Sequence, residues 1–201
     1  MNNRTRTLAL ALAGSAALLA TLIGAAPAPA APSAPKPASV HGAGKVFYPF
    51  SPKDDIRFTV DADGDPWSQP LKLENAEKGL PTDASGWVTV HHGVHGSDFA
   101  AVSRAKVDCL VTGGGTATLT AVVETSNVGW EGMRIGISVQ DGRHGEPDRV
   151  GFSWGVANLD VHPDLTATQA TVGTCMAPAP FTEVVQGGFK VTSAPLTTQP
   201  R

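Results

Sequence analysis

The chain has 201 residues, 41% hydrophobic, 16% charged and 6% aromatic, with a formal charge of −3. A low charged fraction beside an ordinary hydrophobic one excludes charge-driven disorder for the body of the chain. The 22 glycines and 16 prolines exclude a long-helix or coiled-coil protein.

Arg4 and Arg6 precede an uncharged, Ala/Leu-rich stretch from Leu8 to Ile23, and Ala28-Pro29-Ala30 follows as a small-residue exit. A basic start, an apolar middle and an A-x-A pattern predict a signal peptide over 1–30 that is cleaved on export; an N-terminal membrane anchor is the alternative, but the stretch is Ala-rich and short for a span. The two arginines are not adjacent, which favours the general secretory route over the twin-arginine one. With no cysteine near the cleavage region and no closing hydrophobic segment, the expectation is a released, extracellular protein without a membrane partner. Cleavage removes two positive charges and takes the net charge from −3 to −5. No Lys/Arg cluster offers a nucleic-acid footprint, so no nucleic-acid partner is expected.

Residues 31–40 are Pro/Ala-rich and read as an extended linker. Residues 41–192 form a single domain large enough to bury a core, and 193–201 are Pro/Thr-rich and read as a flexible tail. The two cysteines, Cys109 and Cys175, lie within the domain. In an oxidising compartment an even count points to a disulfide, and with two cysteines its connectivity is forced; two buried free thiols are the alternative.

The dominant period along the domain is two. Ile56, Phe58, Val60 and Ala62 interleave with Arg57, Thr59 and Asp61; Ala105, Val107, Cys109 and Val111 alternate with Arg104, Lys106 and Asp108. Ala117, Leu119, Ala121 and Val123 repeat the pattern, as do Met133, Ile135, Ile137 and Val139, then Val150, Phe152, Trp154 and Val156. Such alternation predicts half-buried antiparallel strands. Gly113-Gly-Gly115 suits a hairpin turn, and further strands are expected at 44–49, 86–92 and 183–191. The fold class is all-β: an antiparallel meander of about eight strands, barrel-like, with a two-layer β-sandwich as the alternative. Residues 63–84 interrupt it, with a short helix expected over 71–80; a connection of that length often covers a binding surface or an open barrel end.

Together, Phe58-Thr-Val-Asp-Ala62, Val107-Asp-Cys-Leu110, Arg149-Val-Gly-Phe-Ser-Trp154 and Cys175-Met-Ala-Pro-Ala-Pro180 resemble a family of small secreted actinobacterial proteins. The resemblance covers most of 42–191 and implies an exported, two-cysteine all-β domain. It lends no activity and no catalytic residues.

Four constellations bear on chemistry. Gly151-Phe-Ser-Trp-Gly155 matches G-x-S-x-G, with Asp160 and His162 following in hydrolase order, but Ser153 sits in an alternating strand rather than on the strand-to-helix elbow that chemistry requires. His91, His92 and His95, with Asp98 nearby, offer nitrogen donors for a metal, although adjacent strand histidines face opposite ways. Asp61, Asp63 and Asp65 place three carboxylates at alternating positions, a spacing able to wrap calcium; Pro66 and Lys72 depart from the helix-loop-helix calcium pattern, and a plain acidic turn is the competing reading. Trp67 and Trp130 fall in loops where flat rings can stack on sugars or apolar ligands, or else cap the core. No catalytic set and no obligatory cofactor emerges. The expected role is non-enzymatic binding of a small molecule, glycan or protein through loops, by a monomer. A small hydrolase using Ser153 or a histidine–metal site, and a structural exoprotein without a ligand, are the alternatives.

Overall fold

The structure, a computed structural model, describes residues 36–153, 159–169 and 174–199. The signal-peptide reading, most of the linker, Trp154 and Val156 lie outside those residues, as does the side chain of Asp160. Among the described residues ten strands run in chain order: β1 (Ser39–Val46), β2 (Asp55–Gly64), β3 (Ala84–Gly93), β4 (Ala100–Gly113), β5 (Thr116–Ser126), β6 (Arg134–Gln140), β7 (Arg149–Phe152), β8 (Leu159–Val161), β9 (Ala167–Gln169) and β10 (Thr182–Thr192). Eight of them close an antiparallel barrel in the order β1-β10-β7-β6-β5-β4-β3-β2. Six of the eight neighbouring pairs are consecutive in sequence; β7 pairs with β10 across the β8–β9 segment, and the ring shuts where the last strand returns to the first, Val40 opposite Val191 and Gly42 opposite Phe189. Strands β8 and β9 form a separate hairpin between β7 and β10. Closure settles barrel against sandwich, and it removes the exposed sheet edges that an open meander would leave.

An eight-stranded barrel is just wide enough for its side chains to fill. The inward positions are the apolar halves of the alternating runs: Ile56, Phe58, Val60 and Ala62 from β2, Leu119, Ala121 and Val123 from β5, Ile135, Ile137 and Val139 from β6, all fully or almost fully buried. Phe58 and Phe152 stack at the centre with ring centroids 5.1 Å apart. Burying a side chain of this size contributes about 1.5–3 kcal/mol. The β4–β5 hairpin turns through Gly114 and Gly115, both with positive φ (61° and 86°) and with Gly113 opposite Thr116. Two consecutive left-handed residues match the twist of the flanking strands, and a two-residue turn of this kind favours Gly, Asn or Asp, here Gly-Gly.

Three features depart from the sequence expectation. Residues 65–83 contain turns and no helix; Pro70, Gly79 and Pro81 interrupt any helical run there. Strand β1 begins at Ser39 rather than near residue 44. The third concerns Cys109, expected on the inner face with Val107 and Val111. A bulge after Val107 shifts the register, so that Val107 opposes inward Ala121 while Cys109 opposes Thr120 and Leu110 takes the inner position against Leu119. One extra residue flips every side chain beyond it. The Cys109–Cys175 disulfide, with Cα atoms 5.2 Å apart, therefore lies on the outside of the wall.

It anchors a strap, residues 174–181, laid across β5, β6 and β7. Added Cβ atoms at Gly136 and Gly151 would collide with the strap carbonyls of Met176 and Ala179, so these outward positions must be bare for the strap to lie flat. Small hydroxyls hold it: Ser138 Oγ donates to Pro178 O at 2.5 Å, and Thr120 Oγ1 accepts from Cys175 N–H at 3.0 Å. Arg149 donates to Pro180 O and Phe181 O. Both faces of the sheet are thus covered here, and Thr120 and Ser138 are buried although they point away from the barrel interior.

Candidate functional site

The strand directions sort the loops into two ends. One end carries the β2–β3 connection (65–83), the segment entering β1 and the segment leaving β10. These meet around the mouth of the barrel and enclose a groove of about 490 Å³, lined mainly by Pro37, Ala38, Pro66, Leu110, Pro195 and Leu196. Thr112, Thr197 and Thr198 add hydroxyls, and Lys36 is the one charged residue among the described lining.

Each wall is fixed by hydrogen bonds. Gly64 N–H reaches Ala38 O at 2.8 Å, joining the two chain segments beside the groove. The carboxylate of Asp83 is almost fully buried and accepts from the N–H groups of Gln69 and Leu80 at 2.8 and 2.9 Å, which folds the 65–83 connection back upon itself. Leu110 N–H donates to Thr82 O, pinning that connection to β4. The final segment is tied at three points: Gly115 N–H to Ser193 Oγ, Ala194 N–H to Thr112 Oγ1, and Trp67 Nε1 to Thr197 Oγ1. Trp67 has φ of 66°, a left-handed conformation uncommon for a bulky residue. Its indole is thereby placed against the tail. A groove of this size with apolar walls and a few hydroxyls falls within the range of small-ligand sites.

On the outer wall beside this mouth, His41 stands between two carboxylates: Nδ1 is 2.7 Å from Asp61 Oδ1 and Nε2 is 3.3 Å from Asp63 Oδ1. Of the three aspartates read as a calcium loop, Asp61 and Asp63 share this group, and His41 takes the third place. Asp65 lies past the end of β2, where its N–H bonds Asp83 O. His41 was missed by sequence reasoning because the signal is a cross-strand one: it is 20 residues from Asp61 and opposite it only once β1 and β2 pair.

The opposite end holds the remaining candidates. Asp54 binds both His92 Nε2, at 2.7 Å, and the backbone N–H of His95, at 2.8 Å. Those hydrogen bonds, His92 first and His95 second, hold the Asp54 carboxyl below its ordinary pKa of 3.8. His91 instead meets the backbone carbonyl of Asp55, so the histidines and Asp98 do not converge; among the described residues the one cluster of potential metal ligands is that of His41, Asp61 and Asp63. An aromatic ladder leads outward from the core, Phe152 to Tyr48 at 5.5 Å and Tyr48 to the exposed Phe50 at 5.4 Å.

Ser153 is buried at this end. Its hydroxyl accepts the Gly136 N–H at 2.8 Å, and its own N–H donates to Gly136 O at 2.9 Å. His162, the base of the hydrolase reading, is exposed in the β8–β9 turn and faces Thr168 Oγ1 at 3.1 Å. Trp130 packs against the core, and Trp87 carries the Arg104 guanidinium 3.5 Å above its ring. Among the described residues no helix is long and apolar enough to cross a membrane. No family model, no curated protein and no solved structure matches this chain.

Proposed function

We propose that the protein is a secreted, non-enzymatic binding module whose ligand is a small, largely apolar molecule held at the barrel mouth. The observation that carries this reading is the groove of about 490 Å³ between the 65–83 connection and the final segment. The barrel interior is filled by side chains, so a ligand has its place at the mouth rather than inside. Neutral walls with Lys36 at the rim suit an aliphatic or aromatic body bearing at most one acidic group. The disulfide fits export to an oxidising compartment. The engagement of the Ser153 hydroxyl by the Gly136 backbone weighs against the hydrolytic alternative.

The test is isothermal titration of the purified mature protein with a panel of apolar carboxylic acids and their neutral amides. Ala194→Trp, which keeps the backbone bond to Thr112 while filling the groove, is the control. Binding that Ala194→Trp abolishes supports the reading. Absence of binding across the panel, or binding indifferent to that change, overturns it. Ester hydrolysis lost in Ser153→Ala would restore the enzyme.

A further inference from the structure

We propose that His41 and Asp63, with Asp61 behind the imidazole, form a site for a divalent transition ion of the zinc class. The frame is a rigid one. β1 and β2 pair without a register shift, His41 opposite Asp61 and Ser39 opposite Asp63, so the three side chains share one outward face of a closed sheet. The residues between them, Val40, Val60 and Ala62, point inward and are buried.

The two nitrogens of His41 have different surroundings. Asp61 Oδ1, 2.7 Å from Nδ1, accepts a hydrogen bond there and selects the tautomer with its proton on Nδ1. That leaves the Nε2 lone pair free for a metal, 3.3 Å from Asp63 Oδ1. A zinc-class ion with bonds of about 2.0–2.1 Å and a tetrahedral angle holds its donor atoms about 3.4 Å apart. The observed separation therefore needs almost no rearrangement to admit an ion between nitrogen and oxygen. A carboxylate on the far ring nitrogen is the usual support of a metal-bound histidine, orienting the ring and raising its basicity. Asp61 stands in that position, 2.7 Å from Nδ1.

The surrounding charge points the same way. Lys190, opposite His41 on β10, extends to Asp141 at 2.8 Å. Lys45 and Arg57 both pair with Asp55 at 3.1 and 3.0 Å. Among the described residues no lysine or arginine forms an ion pair with Asp61 or Asp63, so His41 is their neighbour in charge and a cation is favoured there. The donor set selects the kind of cation: imidazole suits zinc, copper or nickel, whereas calcium takes six to eight oxygens. The site is exposed and uses few protein donors, with water completing the shell.

Zinc titration of tag-free, disulfide-intact protein at pH 7.5 tests this. Expected is one equivalent of zinc bound, undisturbed by a tenfold excess of calcium. Binding should weaken tenfold or more in His41→Ala and in Asp63→Asn, and by about tenfold in Asp61→Asn. Asp65→Asn should bind like the parent. Cobalt in place of zinc gives a visible absorption band that His41→Ala removes. Unchanged circular dichroism in the variants separates ligand loss from misfolding. The proposal is overturned by no binding up to millimolar zinc, by zinc binding that survives both His41→Ala and Asp63→Asn, or by calcium competition that depends on Asp65. None of these outcomes bears on the groove, since Ala194 lies outside the cluster.

Discussion

At the scale of single residues, polar groups with catalytic credentials are engaged by the backbone. Ser153 satisfies a buried N–H of β6. Replacing it with alanine leaves that donor unpaired, and Ser153→Ala should cost about 1–3 kcal/mol in denaturant unfolding. A freely mobile nucleophile would change stability little. Asp54 ties the β1–β2 loop to the end of β3 through His92 and to the β3–β4 loop through His95. Its carboxyl is depressed in the folded state, so the stability it confers is complete above the unfolded-state value near 4 and is lost as pH falls from there through the lower folded-state value. The melting-temperature gap between the parent and Asp54→Asn should therefore narrow as the pH falls below about 4. A gap that widened on acidification would contradict this assignment. The G-x-S-x-G pattern was legible in the sequence, but the hydroxyl's partner is a glycine backbone 17 residues away, which no local pattern records.

At the scale of elements, five of the eight barrel strands, β2 and β4 to β7, could be read from period-two alternation because each has one face on a packed core and one on solvent or strap; β3 and β10 were expected at 86–92 and 183–191 on weaker patterns. The eighth, β1, was placed too late, at 44–49: Gly42 and Gly44 occupy inward positions between the buried Val40 and Val46, so the middle of its apolar face carries no side chain to signal it. The bulge in β4 escaped for a different reason. Cys109, Leu110 and Val111 form a consecutive apolar run, and that run, rather than the alternation before it, was the sign that the face switches. The switch puts the disulfide outside, where it fastens the strap to the wall. Crosslinking positions 66 apart restricts the unfolded chain by about 4 kcal/mol in the entropic account. The double variant Cys109→Ser/Cys175→Ser should lose about that much in guanidinium unfolding. Thr120, Ser138 and Arg149 would still hold the strap in the folded state. A loss below about 1 kcal/mol would mean the crosslink contributes little beyond these hydrogen bonds.

At the scale of the whole molecule, closure is the least legible feature and the most consequential. Pairing of the first strand with the last depends on tilt and stagger that alternation does not encode. The same closure builds the mouth, because it brings the segments flanking β1 and β10 beside the 65–83 connection. Their Pro, Ala and Thr residues read as linker and tail when taken alone, so the groove could not be read from either. The ring is not equally strong all round. β7 has four residues and shares two paired positions with β10, whereas β2 and β3 share ten. Local opening starts where few hydrogen bonds must break. Amide exchange should accordingly be faster at Val150 and Val184 than at Val60 and Val88. Uniform protection around the ring would show that the seam is reinforced by the strap.

The most direct test of the binding reading is an amide-resolved chemical-shift map of the mature protein titrated with an apolar carboxylic acid. Saturable shifts should concentrate at Ala38, Gly64, Leu110, Thr112, Ala194 and Leu196, with Leu119, Ile137 and Phe152 inside the barrel unmoved. Shifts centred on those interior residues, or on Tyr48 and Phe50 at the far end, would contradict the assignment of the mouth as the site.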